Sequence, residues 1–185
     1  MRGLLGLIII AALGGGCAAS SGDHRAWIDQ HGGVIRDSRQ SRAQTALDSL
    51  GRCPAARQLV IRVLDEDTVA AWSWPDGSIF VTRRLVDALG DDELAAAIAH
   101  ECGHLLADGH MQAPNSLRGY PKGLDVESRA DAIGSNLLEL NGLPRDAMIR
   151  MLAKVRSSSG LSGGVQRDLS RRIALLSGAH ADADQ

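Results

Sequence analysis

Apolar positions along the chain change their spacing twice, and the changes mark out its elements. From Val34 to Leu50 they recur at helical intervals, and Gly51 suits the stop of that helix. Gln58 to Leu64 alternates around Val60, Ile61 and Val63, which predicts a strand. Thr68 to Trp74 and Ser78 to Thr82 are two more predicted strands, joined across Pro75-Asp76-Gly77 as a hairpin. Helical spacing then resumes. Arg83 to Leu89 is a short predicted helix closed by Gly90. Asp91 is an N-cap for the next helix, with Asp92 and Glu93 in its first turn. That helix runs through Leu94, Ile98, Cys102 and Leu105. Residues 111–123, with two Pro and two Gly, predict a loop. Leu124 to Leu140 is predicted helical and stopped by Asn141-Gly142 and Pro144; Arg145 to Arg156 and Val165 to Leu176 follow as two further helices. The expected class is α+β, mostly helical, with a small antiparallel sheet.

The first sixteen residues stand apart from this domain. Arg2 precedes an apolar run from Leu4 to Leu13. Spanning a bilayer takes about twenty residues, so this shorter run reads as an export signal. Gly14-Gly15-Gly16-Cys17 resembles a bacterial lipoprotein signal, in which a cysteine is lipidated after cleavage, although Gly14 stands where Leu is usual. The expectation is a signal peptide over 1–16, lipidation at Cys17, and a tether over 17–30. The folded domain would then span 31–178 and a flexible tail 179–185. Such a chain would face the periplasm from the outer membrane, with its lipid anchor as the sole membrane contact. Cleavage after Ala19, leaving a soluble periplasmic protein, is the alternative. Cys53 and Cys102 remain beyond Cys17, and their spacing leaves pairing open.

Composition narrows the partners. A net charge of −2 gives no footprint for nucleic acid, and aromatics at 3% give little for bases to stack on. The core must come mainly from Leu, Ile, Val and Ala.

Chemistry concentrates in His100-Glu101-Cys102-Gly103-His104, an HExxH motif. At about 100° per residue, with Leu94 at zero, Ile98 and Leu105 fall at about 40° and 20° on the buried stripe. His100 and His104 fall at about 240° and 280°, stacked one turn apart where two imidazoles can share one zinc ion. Glu101, at about 340°, can reach an attacking water without ligating the metal, and Cys102, at about 80°, is a core residue. Catalytic zinc needs a third protein ligand. His110 has metzincin spacing, but Ala107 stands where that pattern needs a glycine; a continued helix would carry His110 about 9 Å along the axis and off the ligand face. Glu127 is the stronger candidate, near the start of the helix after the loop. Asp131, one turn on, can accept a hydrogen bond from a ligand histidine and fix its tautomer.

Three segments, PDGSIFVTRRLVDAL, DDELAAAIAHECGH and ESRADAIGSNLLELNG, resemble gluzincin peptidases of the HtpX and CAAX-prenyl-protease type between about Leu59 and Leu143. The resemblance implies a zincin-like domain with zinc ligands His100, His104 and Glu127, general base Glu101 and supporting Asp131. Arg172 in RRIALL matches a C-terminal arginine of that family without the usual preceding His-Pro. Ala70-Ala71 stand where the family has Asn-Ala. Tyr120, His110 and Arg172 are candidate substrate or oxyanion contacts. The expected substrate is an extended or unfolded polypeptide added to the sheet edge, with Ser78–Thr82 as the candidate edge strand. Loop 111–123 is a candidate lid. The expected function is a zinc endopeptidase acting on unfolded or misassembled envelope proteins. The alternative is a zinc-binding assembly factor with little turnover.

Overall fold

The computed structural model describes residues 23–51, 58–107, 125–158 and 160–178. Seven helices and a four-stranded sheet follow one another in these segments: α1 (Asp23–Gln30), β1 (Val34–Ile35), α2 (Ser38–Asp48), β2 (Val60–Leu64), β3 (Ala71–Ser73), β4 (Ser78–Thr82), α3 (Arg83–Ala88), α4 (Asp91–Ala107), α5 (Val126–Leu140), α6 (Ala147–Arg156) and α7 (Gly163–Leu176). The α+β class expected from the pattern is the class observed.

The sheet is mixed rather than wholly antiparallel. Its order is β1-β2-β4-β3, and β2 runs parallel to β4 in the register Ile61↔Ile79 and Val63↔Val81. The hairpin itself forms as predicted, with Trp72 opposite Phe80. Its turn closes through Gly77 N–H donating to the Trp74 carbonyl at 2.9 Å, with Gly77 at φ 91°. The hairpin docks by β4, so Ser78–Thr82 is a central strand and β3 is the outer one. Burial of all five β4 residues reflects this, since a central strand is covered on both faces.

Side-chain alternation splits the sheet into two apolar layers. Ile61, Val63, Ala71, Ile79 and Val81 face the helical core, while Leu64, Ala70, Trp72 and Phe80 form the opposite layer. That second layer is covered by α1, so from Asp23 onward the expected tether is a helix. Its reason is Trp27, whose ring meets Trp72, Trp74 and Phe80 edge-on at centroid distances of 5.3, 5.7 and 5.0 Å. Val34 and Ile35, expected as the start of a helix, instead pair with Leu64 and Val63; the helix begins after Asp37, whose side chain accepts from Arg39 N–H.

Helix α4 occupies the centre. Every residue from Glu93 to Leu106 is buried, so the apolar stripe read from the sequence is part of a helix enclosed on all sides. Its start is fixed by the Glu93 carboxylate, which accepts from Gly90 N–H at 2.6 Å and from Lys154 of α6 at 2.7 Å. The capping carboxylate is thus Glu93, inside the first turn, and Asp91 is already helical. Helix α5 packs on α4 at unusually close range through two glycines. A Cβ on Gly103 would collide with the backbone of Ala130, and one on Gly134 would lie 3.0 Å from the Ala99 carbonyl. Asp125 caps α5 by accepting from Ser128 N–H at 2.9 Å.

Candidate metal centre

Close approach of α4 and α5 brings one turn of each together. His100 and His104 project from α4, one turn apart, with their Nε2 atoms 3.1 Å from each other. Glu127, in the first turn of α5, faces both: Oε2 lies 3.4 Å from His100 Nε2, and Oε1 lies 3.5 Å from His104 Nε2. These three residues form the group of side chains able to hold a metal ion among the described residues.

The spacing fits zinc. Zinc–nitrogen bonds of about 2.0–2.1 Å at tetrahedral angles set neighbouring donors roughly 3.3 Å apart. The three measured separations lie close to that length, two of them ending on different oxygens of the Glu127 carboxylate, so the two Nε2 atoms and one carboxylate oxygen can serve as three ligands with a fourth position left open. The two imidazole nitrogens, 3.1 Å apart with a carboxylate alongside, can all turn to a cation once His100 gives up its Nε2 proton.

Behind the donors lies a second layer of charge. Asp131 of α5 accepts from His100 Nδ1 at 2.8 Å, which directs His100 Nε2 toward Glu127 and His104. Arg172 of α7 grips Asp131 through Nε at 2.6 Å and Nη2 at 2.7 Å, and its Nη1 lies 3.1 Å from Glu127 Oε2. Arg172 is 2% exposed. Its nitrogens are taken up by these carboxylates, so Arg172 sits behind the donors and not where a substrate would meet it. Sequence reading had offered Arg172 as a substrate or oxyanion contact and missed this anchoring. The available signal was an arginine on the face of α7 that also carries buried Leu169.

Ionisation follows from burial and these contacts. Burial disfavours a charged His100, but hydrogen bonds to Asp131 and Glu127 outweigh it and lift the imidazole to about 9. Burial, reinforced by the neighbouring His100 charge, pushes His104 down to about 4. Burial opposes charge on Asp131 as well, yet Arg172 and His100 hold its carboxyl down at about 2. Glu127 is likewise held below the usual range, against its burial, by the His100 hydrogen bond. Glu101 differs. It is fully buried, neither carboxylate oxygen has a hydrogen-bond partner, and burial raises it to about 7. A carboxyl so placed can exchange a proton near neutrality.

Residues 36–117 match peptidase family M48. Over this stretch, 82 of the chain's 185 residues, the chain is similar to that metallopeptidase family. The match contains His100, Glu101 and His104 and ends before Glu127, Asp131 and Arg172. Those last three are joined to the family motif by the packing of α5 on α4 and of α7 on α5. No curated protein matches the chain in a sequence comparison. His110, Tyr120, Cys17, Cys53 and the 111–123 loop lie outside the described residues. Cys102 is buried in the core, as its angle on the helix predicted.

Proposed function

We propose that the chain is a zinc-dependent endopeptidase of the bacterial envelope, acting on extended or unfolded polypeptide. The observation that carries this reading is the donor triangle of His100, His104 and Glu127 beside a buried, unpaired Glu101. A purely structural site has no use for such a carboxyl.

His100, His104 and Glu127 would hold one zinc ion per chain. Bound there, zinc supplies Lewis acidity at the scissile carbonyl. Glu101 takes the proton of the attacking water and returns it to the departing amine, a task suited to a carboxyl raised toward neutrality. Asp131 keeps the Nδ1 proton on His100, leaving Nε2 for the metal. Arg172 holds Asp131 and Glu127 in register and offsets their negative charge.

The outer strand β3 supports recognition of extended chain. It lies beside α4, and Ser73 is close enough to Glu101 to act on its ionisation. A peptide added along this edge would gain main-chain hydrogen bonds with little demand on sequence, which suits unfolded substrates. Envelope placement rests on Arg2, the Leu4–Leu13 run and Cys17. Among the described residues no helix is long and apolar enough to cross a membrane, and a lipid on Cys17 would supply attachment.

The test is proteolysis of casein by the purified protein. We expect cleavage to stop when zinc is stripped by a chelator and to return on adding one equivalent of zinc. Cleavage indifferent to chelation would sink the reading. Metal binding without any cleavage would favour the assembly-factor alternative.

A further inference from the structure

Arg171, the neighbour of Arg172 on α7, is 45% exposed, yet both ends of its guanidinium are held. Nη1 donates to Asp125 Oδ2 at 2.6 Å, and Nη2 donates to Asp168 Oδ1 at 2.7 Å. Asp125 is the N-cap of α5, two residues before Glu127. Its Oδ1 accepts from Ser128 N–H at 2.9 Å, and Oδ2 also accepts from the Ser128 hydroxyl at 3.0 Å. Asp168 lies 3.8 Å from Arg172 Nη1 as well, so the two arginines share it. Alternating charges thus run from Asp125 through Arg171, Asp168 and Arg172 to Glu127 and Asp131.

The first turn of α5 has few apolar contacts to hold it. Val126 is 50% exposed, and burial begins at Ser128. The close packing on α4 grips the helix further along, at Ala130 and Gly134. A first turn also carries backbone N–H groups without intrahelical partners, so its order depends on its cap. Glu127 belongs to this turn. Arg172 meets its carboxylate, whereas the Asp125 cap ties down the backbone that carries it.

We infer that Arg171 is a positioning residue for the metal centre: by holding the Asp125 cap, it fixes the turn of α5 that presents Glu127 to His100 and His104. The inference rests on the proposed zinc ligation by those three residues. A preordered Glu127 loses less freedom on ligation, so metal affinity rises by what the Arg171–Asp125 pair contributes to that order. The gain is bounded. A half-exposed ion pair shifts an equilibrium by up to about fivefold. It also fades with salt, because the Debye length falls to about 3 Å at 1 M. Another ion pair on the same helix supplies the contrast: Arg145 lies 3.3 Å from Glu139, in the last turn of α5 and far from the donors.

The test is zinc affinity of the full chain, measured by competition with a chromophoric chelator at low salt and at about 1 M. Arg171→Ala should weaken binding about three- to fivefold at low salt and less than about twofold at high salt, with helix content unchanged. Asp125→Asn keeps a capping oxygen but loses the charge, and should have the same effect. Adding Arg171→Ala to it should weaken binding no further, because the two residues act as one pair. Arg145→Ala should bind zinc as wild type does. Equal affinity in wild type and Arg171→Ala at low salt overturns the inference. A loss that persists undiminished in salt, an additive loss in the double variant, or an equal loss in Arg145→Ala overturns it too, leaving Arg171 as general support for the helix. If wild type binds no zinc, the metal centre itself fails and the positioning role with it. Zinc bound equally by wild type and Arg171→Ala removes the positioning role alone and leaves the proposed hydrolysis standing.

Discussion

At His100 metal and proton compete for one nitrogen. Asp131 secures the proton on Nδ1, so ligation requires Nε2 to be bare. With its pKa raised to about 9, metal-free His100 carries protons on both nitrogens at neutral pH. Zinc must then displace one proton, so affinity should rise about tenfold per pH unit between about 7 and 9 and flatten above. His104, at about 4, is bare over that range and adds no slope. Competition with a chromophoric chelator across this interval measures the slope, and a flat profile would show that His100 holds no displaceable proton. Both histidines and Glu101 were legible in the sequence because a helix has a fixed angular step. Glu127 and Asp131 were legible because zinc chemistry wants a third donor and a carboxylate behind a histidine. The anchoring role of Arg172 was not, since it depends on how α7 crosses α5, which local pattern does not encode.

Helix α5 can deliver Glu127 only because Gly103 and Gly134 let it approach α4. A methyl on Gly103 meets the Ala130 backbone, which has no flexible end to swing aside. Gly103→Ala should therefore force the helices apart, cost about 1–3 kcal/mol of stability and weaken zinc binding together. Urea unfolding and zinc titration on the same variant check this; normal zinc affinity would mean that the contact does not set the position of Glu127. Element types were mostly readable from periodicity, but ends were less so. β1 lies where an apolar pair at Val34-Ile35 fits helix and strand alike, and pairing with β2 decides the matter. The 17–30 segment looked like a tether because its composition is small and polar. One aromatic, Trp27, suffices to hold its second half as α1 on the sheet.

At the scale of the whole molecule, α4 is a buried axle with β3, α2, α5 and α6 packed against it, and α7 packs in turn on α5 and α6. The strand order was illegible in advance, because sequence proximity of β3 and β4 says that they pair and not which of them docks against β2. That choice matters for function: it makes β3 the outer strand beside Glu101 and closes off Ser78–Thr82. The family match over residues 36–117 and the donor triangle agree on a metallopeptidase centre, the triangle adding Glu127 of α5 to the two histidines inside the match. The proposed role of Glu101 as general base links the two. The most direct measurement is zinc content and casein cleavage on Glu101→Gln, side by side with wild type. A full equivalent of zinc with cleavage reduced at least 100-fold is the expected result, consistent with loss of general-base catalysis at about 10²–10⁴-fold. Cleavage at the wild-type rate with zinc retained would contradict the assignment of Glu101 as the base.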